Sequence, residues 1–557
     1  MNSKAKQTPS AGEGAMDRRN FMGAALGAAA TAGAAAMMAT QVSAAEPPSP
    51  KQPTGSRPVG APPGGTPPMG PPAGAPPPGS GLQLGGILSG PKLYRVEADV
   101  RDVEVEGKIP ADLNGAFYRV GPDPQYPLAP RNIPFDGEGH VSMFRIKDGH
   151  VDYKSRYVRN DRYKAQEKAK RILFPMYRNP SVDDPSVQGL SRSTANTHII
   201  NHRNMLLALK EDSPPAAMNL LTLETIDPNY NFDGQLQSKT FTAHPKLDSE
   251  TGNMIAFGYE AKGFGTNDVN LFEITPAGKM VWNAWIKVPY ISLLHDFAVT
   301  DKFIVFYVFP LAFDENQIKS GGIHWSWKGG EATYFGVMRR GGDGKDLKWF
   351  KGPERSSTHV MGAFSDGEHI YVDVEMSQYN PFPFMPFRDG THWDPVKGSS
   401  QITRLSANLA KKTPSDYNME ILYPGYFGAL PRQDDRYNTK PYRYGYLPCP
   451  DPNPTDHSGR PEACWVRFDH QTRKASVFKA GANTILNEVV FAPKSKTSPE
   501  GVGYLMGVAI RNAEGGRGDL IILDAEKPEA GPIATVKLPI RAVPQIHGWW
   551  VPEEQLA

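Results

Sequence analysis

Residues 141–158 read VSMFRIKDGHVDYKSRYV. β-Branched and aromatic side chains alternate with polar ones on both sides of the turn signal Asp148-Gly149, a pattern that suits half-buried strands and not a helix. Similar runs recur outward from it: GAFYRVG at 115–121, NMLLALKE at 204–211, NMIAFGYEA at 253–261, KFIVFYVFPL at 302–311, HIYVDVEMS at 369–377 and DLIILDA at 519–525. Each is short and bounded by Gly, Asp, Asn or Pro, and stretches with a helical period are few. The chain is therefore read as all-β. No strict WD40 or kelch repeat is visible, but so many strands without a linker point to one large closed architecture, a β-propeller first of all. Loops between its strands would form a cap over one face, where a site can be built.

Composition narrows the chemistry. The 557 residues carry 61 Lys+Arg against 59 Asp+Glu, for a formal charge of +2, and 39% are hydrophobic. Without a basic block there is no electrostatic footprint for nucleic acid or a lipid surface, and a small neutral partner is expected. Two cysteines, Cys449 and Cys464, are too few for a thiolate zinc site or an iron–sulfur cluster, so a metal would depend on the 13 His and on carboxylates.

The 55 Gly and 53 Pro are unevenly placed: residues 47–80 alone hold 14 Pro and 7 Gly. That stretch predicts an extended tether over 46–80. Before it, Arg18-Arg19 and Phe21 lead into an uncharged Ala/Gly/Met run that ends in small residues around Ala44 and Ala45. This is the layout of a twin-arginine-type signal peptide over 1–45. The expectations are export to the periplasm, no stable membrane insertion after cleavage, and a catalytic domain over 81–557. An oxidising compartment would permit a Cys449–Cys464 disulfide closing the Pro/Asp-rich loop between them.

Four histidines lie at strand ends in apolar or small surroundings: His244 in FTAHPK, His295 in ISLLHDFAV, His359 in SSTHVMGAF and His547 in VPQIHGWWVP. Their scatter over three hundred residues excludes a local zinc helix and suits a propeller, whose inner strands converge on one axis. Four neutral imidazoles would leave a divalent ion its full charge and open positions, as in an oxygen-activating iron site, with zinc as the rival. Ligating histidines need acceptors for their other ring N–H; Glu211 and Glu488 are isolated acids at the ends of apolar runs. The other nine histidines, such as His150, His369 and His470, are expected to face solvent.

Taken together, GAFYRVGPDPQY, FDGEGHVSMFRI, FTAHPKLDSETG, LLHDFAVT, THVMGAFSDGEHIYVDV and IHGWWVP resemble the carotenoid cleavage oxygenases, over about Tyr94 to Pro552. The resemblance implies a seven-bladed β-propeller with a loop and helical cap, and one non-haem Fe(II) held by His244, His295, His359 and His547 with dioxygen as co-substrate. It also implies three glutamates behind the ligands. Two match Glu211 and Glu488; the third is expected just before LPRQDDRY, where this chain has Ala429, leaving His359 to water or to a nearby acid such as Asp434. LFPMYRNPSVDDPSVQGLSRSTANT, with Tyr177, and LLALKEDSPP, with Lys210, are similar to the lignostilbene dioxygenase and isoeugenol monooxygenase branch, in which this Tyr and Lys would bind the 4-hydroxyl of a phenolic alkene. Cleavage of the ring-conjugated C=C bond to aromatic aldehydes is the expected activity. The alternatives are an apocarotenoid cleaver, a non-catalytic periplasmic ligand-binding propeller, and a lactonase-type hydrolase, which would prefer calcium and acidic ligands.

Overall fold

The run at 141–158 forms an antiparallel pair of strands, Gly139–Lys147 and His150–Tyr157, with His140 opposite Tyr157 and Lys147 opposite His150. Along the second strand Val151, Tyr153, Ser155 and Tyr157 turn inward while His150 and Asp152 are exposed. The computed structural model describes residues 93–411, 417–454 and 462–556. The expected signal peptide at 1–45 and tether at 46–80 lie outside the described residues.

Seven antiparallel sheets of four or more strands succeed one another along the described residues, beside one two-stranded ribbon, Leu311–Phe313 with Trp325–Trp327. They are the seven blades of a β-propeller. The ring is closed at both ends: the last strand, His547–Pro552, pairs with Gly115–Pro122 of the first blade, and Glu104–Gly107 pairs with Pro532–Arg541 of the last. Each of these two blades thus combines strands from both ends of the described chain. Packing between neighbouring blades is aromatic, as where Phe257 of the third meets Phe297 and Phe306 of the fourth, with centroids 4.8 and 5.4 Å apart.

Blades buried on both faces change the expectation for the remaining histidines. His150 and His369 are exposed, but His140, His198, His202 and His324 are buried. The cysteines also need correction. Cys449 and Cys464 lie in strands Tyr444–Pro450 and Ala463–Asp469, directly opposite each other, and both thiols are free. Burial raises both thiol pKa values, Cys464 to about 12.

Over one face lies the cap, which includes the helix Asp161–Ala169. Asn160 caps that helix, its Oδ1 accepting the Tyr163 N–H. Arg162, buried, fixes the helix to the loop between Gly115–Pro122 and Gly139–Lys147, reaching Glu138 at 3.0 Å and Asp136 at 3.2 Å. The same loop carries Phe135.

Candidate metal centre

All four candidate ligands come from the same end of innermost strands. His547 starts the innermost strand of the first blade; His244 and His295 stand just before Lys246–Leu247 and Ala298–Val299; His359 lies near the start of Ser356–Asp366. Local bonds set their directions. The Thr242 hydroxyl oxygen accepts the His244 backbone N–H at 2.9 Å, and Asp296 accepts the Val360 N–H at 2.8 Å, joining the backbones beside His295 and His359.

The four ring nitrogens lie within 4.8 Å of one another. His244 Nε2 is 3.0 Å from His295 Nε2, which is 3.1 Å from His359 Nε2. Three of the rings turn Nδ1 to a carboxylate: His295 to Glu211, His359 to Glu375 at 2.8 Å and His547 to Glu488 at 2.7 Å. Those N–H groups donate outward, so the Nε2 lone pairs converge on one point with no proton between them. His547 Nε2 is buried there without a hydrogen-bond partner. Burial and the neighbouring imidazoles hold His244 and His547 well below the ordinary histidine range, that is, neutral. A buried cluster of neutral lone pairs is satisfied by a cation and by little else, so the residues fit a metal.

Glu375 corrects the sequence reading. The third carboxylate does not come from the segment around Ala429, and His359 is not left to water or Asp434. Glu375 sits on His369–Ser377, the strand beside the one that bears His359, fully buried, and accepts the Thr358 hydroxyl as well. The segment after Ala429 contributes only the Leu430 N–H, 2.8 Å from the other Glu375 oxygen. Asp434 instead pairs with Arg436. An acid inside the apolar run HIYVDVEMS is the sequence signal for Glu375. Burial alone would lower the His359 pKa, and the Glu375 carboxylate overrides it and raises it.

Tyr177 and Lys210 are brought together beside this centre. Both are buried, with the Lys210 ammonium 5.1 Å from the Tyr177 ring centroid and 5.9 Å from that of Phe135. Phe384 and Phe382, from the loop MSQYNPFPFMPF, pack on Phe135 with centroids at 5.0 and 6.5 Å. Desolvation by itself would lower the Lys210 pKa; Tyr177 and the carboxylates of Glu211, Asp212 and Asp136 outweigh it and hold the amine above its ordinary value. Burial pushes the Tyr177 phenol up. The pair thus sets a buried ammonium beside a phenolic side chain. Glu211, next in the sequence, links it to the metal ligands: one oxygen takes the His295 N–H, and the other stands 3.5 Å from Lys210 Nζ.

This propeller with four histidines and three supporting glutamates belongs to the carotenoid cleavage oxygenases: the family model described as retinal pigment epithelial membrane protein matches residues 93–552. Among its relatives, lignostilbene-α,β-dioxygenase isozyme III of Sphingomonas paucimobilis is 38% identical over 474 residues, covering 83% of this chain and 96% of its own. Isoeugenol monooxygenase of Pseudomonas putida is 38% identical over 461 residues, 82% of this chain and 95% of its own. The crystal structure of the Pseudomonas brassicacearum lignostilbene dioxygenase superposes with a TM-score of 0.79 at 38% identity, covering 83% of this chain and 97% of that one.

Proposed function

We propose that this protein uses Fe(II) and dioxygen to cleave the ring-conjugated C=C bond of a 4-hydroxyphenyl alkene, a stilbene or a phenylpropene, to carbonyl products including an aromatic aldehyde of the vanillin type. One observation carries the reading: a buried cation, Lys210, stands among aromatic rings and shares a carboxylate with the metal ligand His295. An apolar polyene has no use for such a cation. The names of the relatives, lignostilbene dioxygenase and isoeugenol monooxygenase, support the same class.

His244, His295, His359 and His547 would hold the iron. When bound, Fe(II) supplies the affinity for dioxygen that no side chain here offers. The protein's own residues do the rest. Lys210 and Tyr177 take the 4-hydroxyl of the substrate; the ammonium stabilises the phenolate by a charge-assisted hydrogen bond and lowers the phenol pKa. Electron density from that oxygen then reaches the conjugated alkene through the ring. Phe135, Phe382 and Phe384 wall the site with apolar surface, exclude water and fix the ring plane. In the dioxygenase balance one dioxygen gives one oxygen atom to each alkene carbon, the C=C bond breaks, and no reductant is consumed.

The test is a panel of resveratrol, a lignostilbene, isoeugenol and an apocarotenal, each incubated with the iron-loaded protein, with products identified by mass spectrometry. Aldehydes from a phenolic alkene are expected; cleavage of the apocarotenal alone would overturn the reading. We place the activity in the periplasm on the leader read at 1–45, which N-terminal sequencing of the mature protein tests.

A further inference from the structure

The three glutamates behind the histidines differ in what holds their second oxygen. For Glu375 it is the Leu430 N–H at 2.8 Å; for Glu488 it is the Gly548 N–H at 2.9 Å with Arg432 at 3.2 Å. Backbone donors are fixed, so those two carboxylates present a constant charge to His359 and His547. The second oxygen of Glu211 has no hydrogen bond and faces only the Lys210 ammonium at 3.5 Å. That ammonium is itself loosely held, its one hydrogen bond among the described residues being the 3.4 Å contact to the Thr197 hydroxyl. Both contacts are longer than an ordinary N–H···O bond of about 2.9 Å. A buried cation with three donors and no tight partner is readily drawn to a better acceptor.

We propose that Glu211 couples occupancy of the phenol anchor to the metal: when a phenolic oxygen engages Lys210, the Glu211 charge falls more fully on His295 and the metal site becomes richer in electrons. The inference rests on the reading of Lys210 as the phenol anchor. Along the path from Lys210 through Glu211 to His295, no proton or electron changes owner. The ammonium shortens to the phenolic oxygen, its compensation of Glu211 weakens, and the His295 N–H donates more strongly to the carboxylate, which makes its other nitrogen the better donor to a metal. Glu211 is thus a positioning residue that acts through His295. The result is a centre tuned by the presence of a phenol, while the ligands backed by Glu375 and Glu488 stay constant.

The experiment uses the Co(II)-loaded full-length protein, whose visible ligand-field bands report donor strength, with 4-methylphenol as probe. It carries the anchoring oxygen but no alkene to reach the metal. Calorimetry establishes saturation, and 4-methylanisole, equal in shape but without the phenol, is the control. The expected result is a band shift with 4-methylphenol, none with 4-methylanisole, none in Lys210→Met at saturation, and recovery in Lys210→Arg. Cobalt content and melting temperature show that each variant is folded. Equal shifts with both probes, or a shift that persists in Lys210→Met, would overturn the coupling. Binding to the wild-type protein without any shift overturns the coupling and leaves the anchor in place. Failure of 4-methylphenol to bind, or equal affinity for Lys210→Met, removes the anchor and the coupling with it.

Discussion

Replacing Glu375 with Gln should loosen the metal without emptying the fold. Glu375 is fully buried and receives three donors: His359 Nδ1–H at 2.8 Å, the Thr358 hydroxyl, and the Leu430 N–H at 2.8 Å. Glutamine keeps one oxygen for His359 and Thr358 but turns an NH2 toward the Leu430 N–H, so two donors face each other in a dry site. One unsatisfied buried donor costs about 1–3 kcal/mol of stability. His359 also loses an ionised acceptor, and substitutions behind a ligating histidine lower metal affinity about 10–100-fold, equivalent to about 1.4–2.7 kcal/mol. The assay is competition with a chelator of known affinity, run beside thermal unfolding of the metal-free protein. Asp434→Asn is the control, because Asp434 pairs with Arg436 and not with His359; it should leave metal affinity unchanged. Wild-type affinity in Glu375→Gln, or a loss as large in Asp434→Asn, would refute the assignment of Glu375 to His359.

Lys210→Met should lower kcat/KM for a 4-hydroxyphenyl alkene by about 10–150-fold, the loss of a hydrogen bond to a charged group worth about 1.5–3 kcal/mol, and leave the 4-methoxy analogue unaffected. Burial lowers the His202 pKa to about 4, so between pH 6.5 and 4 the unfolded protein binds the proton and the folded one does not. Its contribution, complete above pH 6.5, should be lost at about 1.4 kcal/mol per pH unit as pH falls through that window. Denaturant titrations of wild type and His202→Gln check this, and a difference between them that stays constant with pH contradicts it. Cys449 and Cys464, buried with raised pKa values, should be silent to a thiol reagent in the native protein and both react on unfolding; a bridge found by mass spectrometry of the unreduced protein is the opposing outcome.

The strands were legible because their period is local: Val151, Tyr153 and Tyr157 alternate in sequence as they do in burial. The ligands were legible only as a set. His244, His295, His359 and His547 lie on four different blades, and no spacing rule connects residues that meet through ring closure; the shared motifs supplied what periodicity could not. Glu375 follows the same rule as Glu211 and Glu488, an acid in an apolar run, but its motif position pointed to Ala429, whose segment supplies a backbone N–H and not a carboxylate. The burial of His198, His202 and His324 was hidden for another reason. Polar neighbours in sequence suggest a turn, whereas burial here is imposed by the adjoining blade or cap segment. His198, for example, packs 5.0 Å from the His547 ring and gives its Nδ1 to the Ala243 carbonyl, 45 residues away.

The most direct measurement is the return of activity to protein stripped of metal. With a phenolic alkene and dioxygen, Fe(II) should restore aldehyde formation in proportion to the iron bound, at one ion per subunit, and zinc should restore none. Activity that persists without metal, or that zinc restores equally, would contradict an iron centre built on His244, His295, His359 and His547.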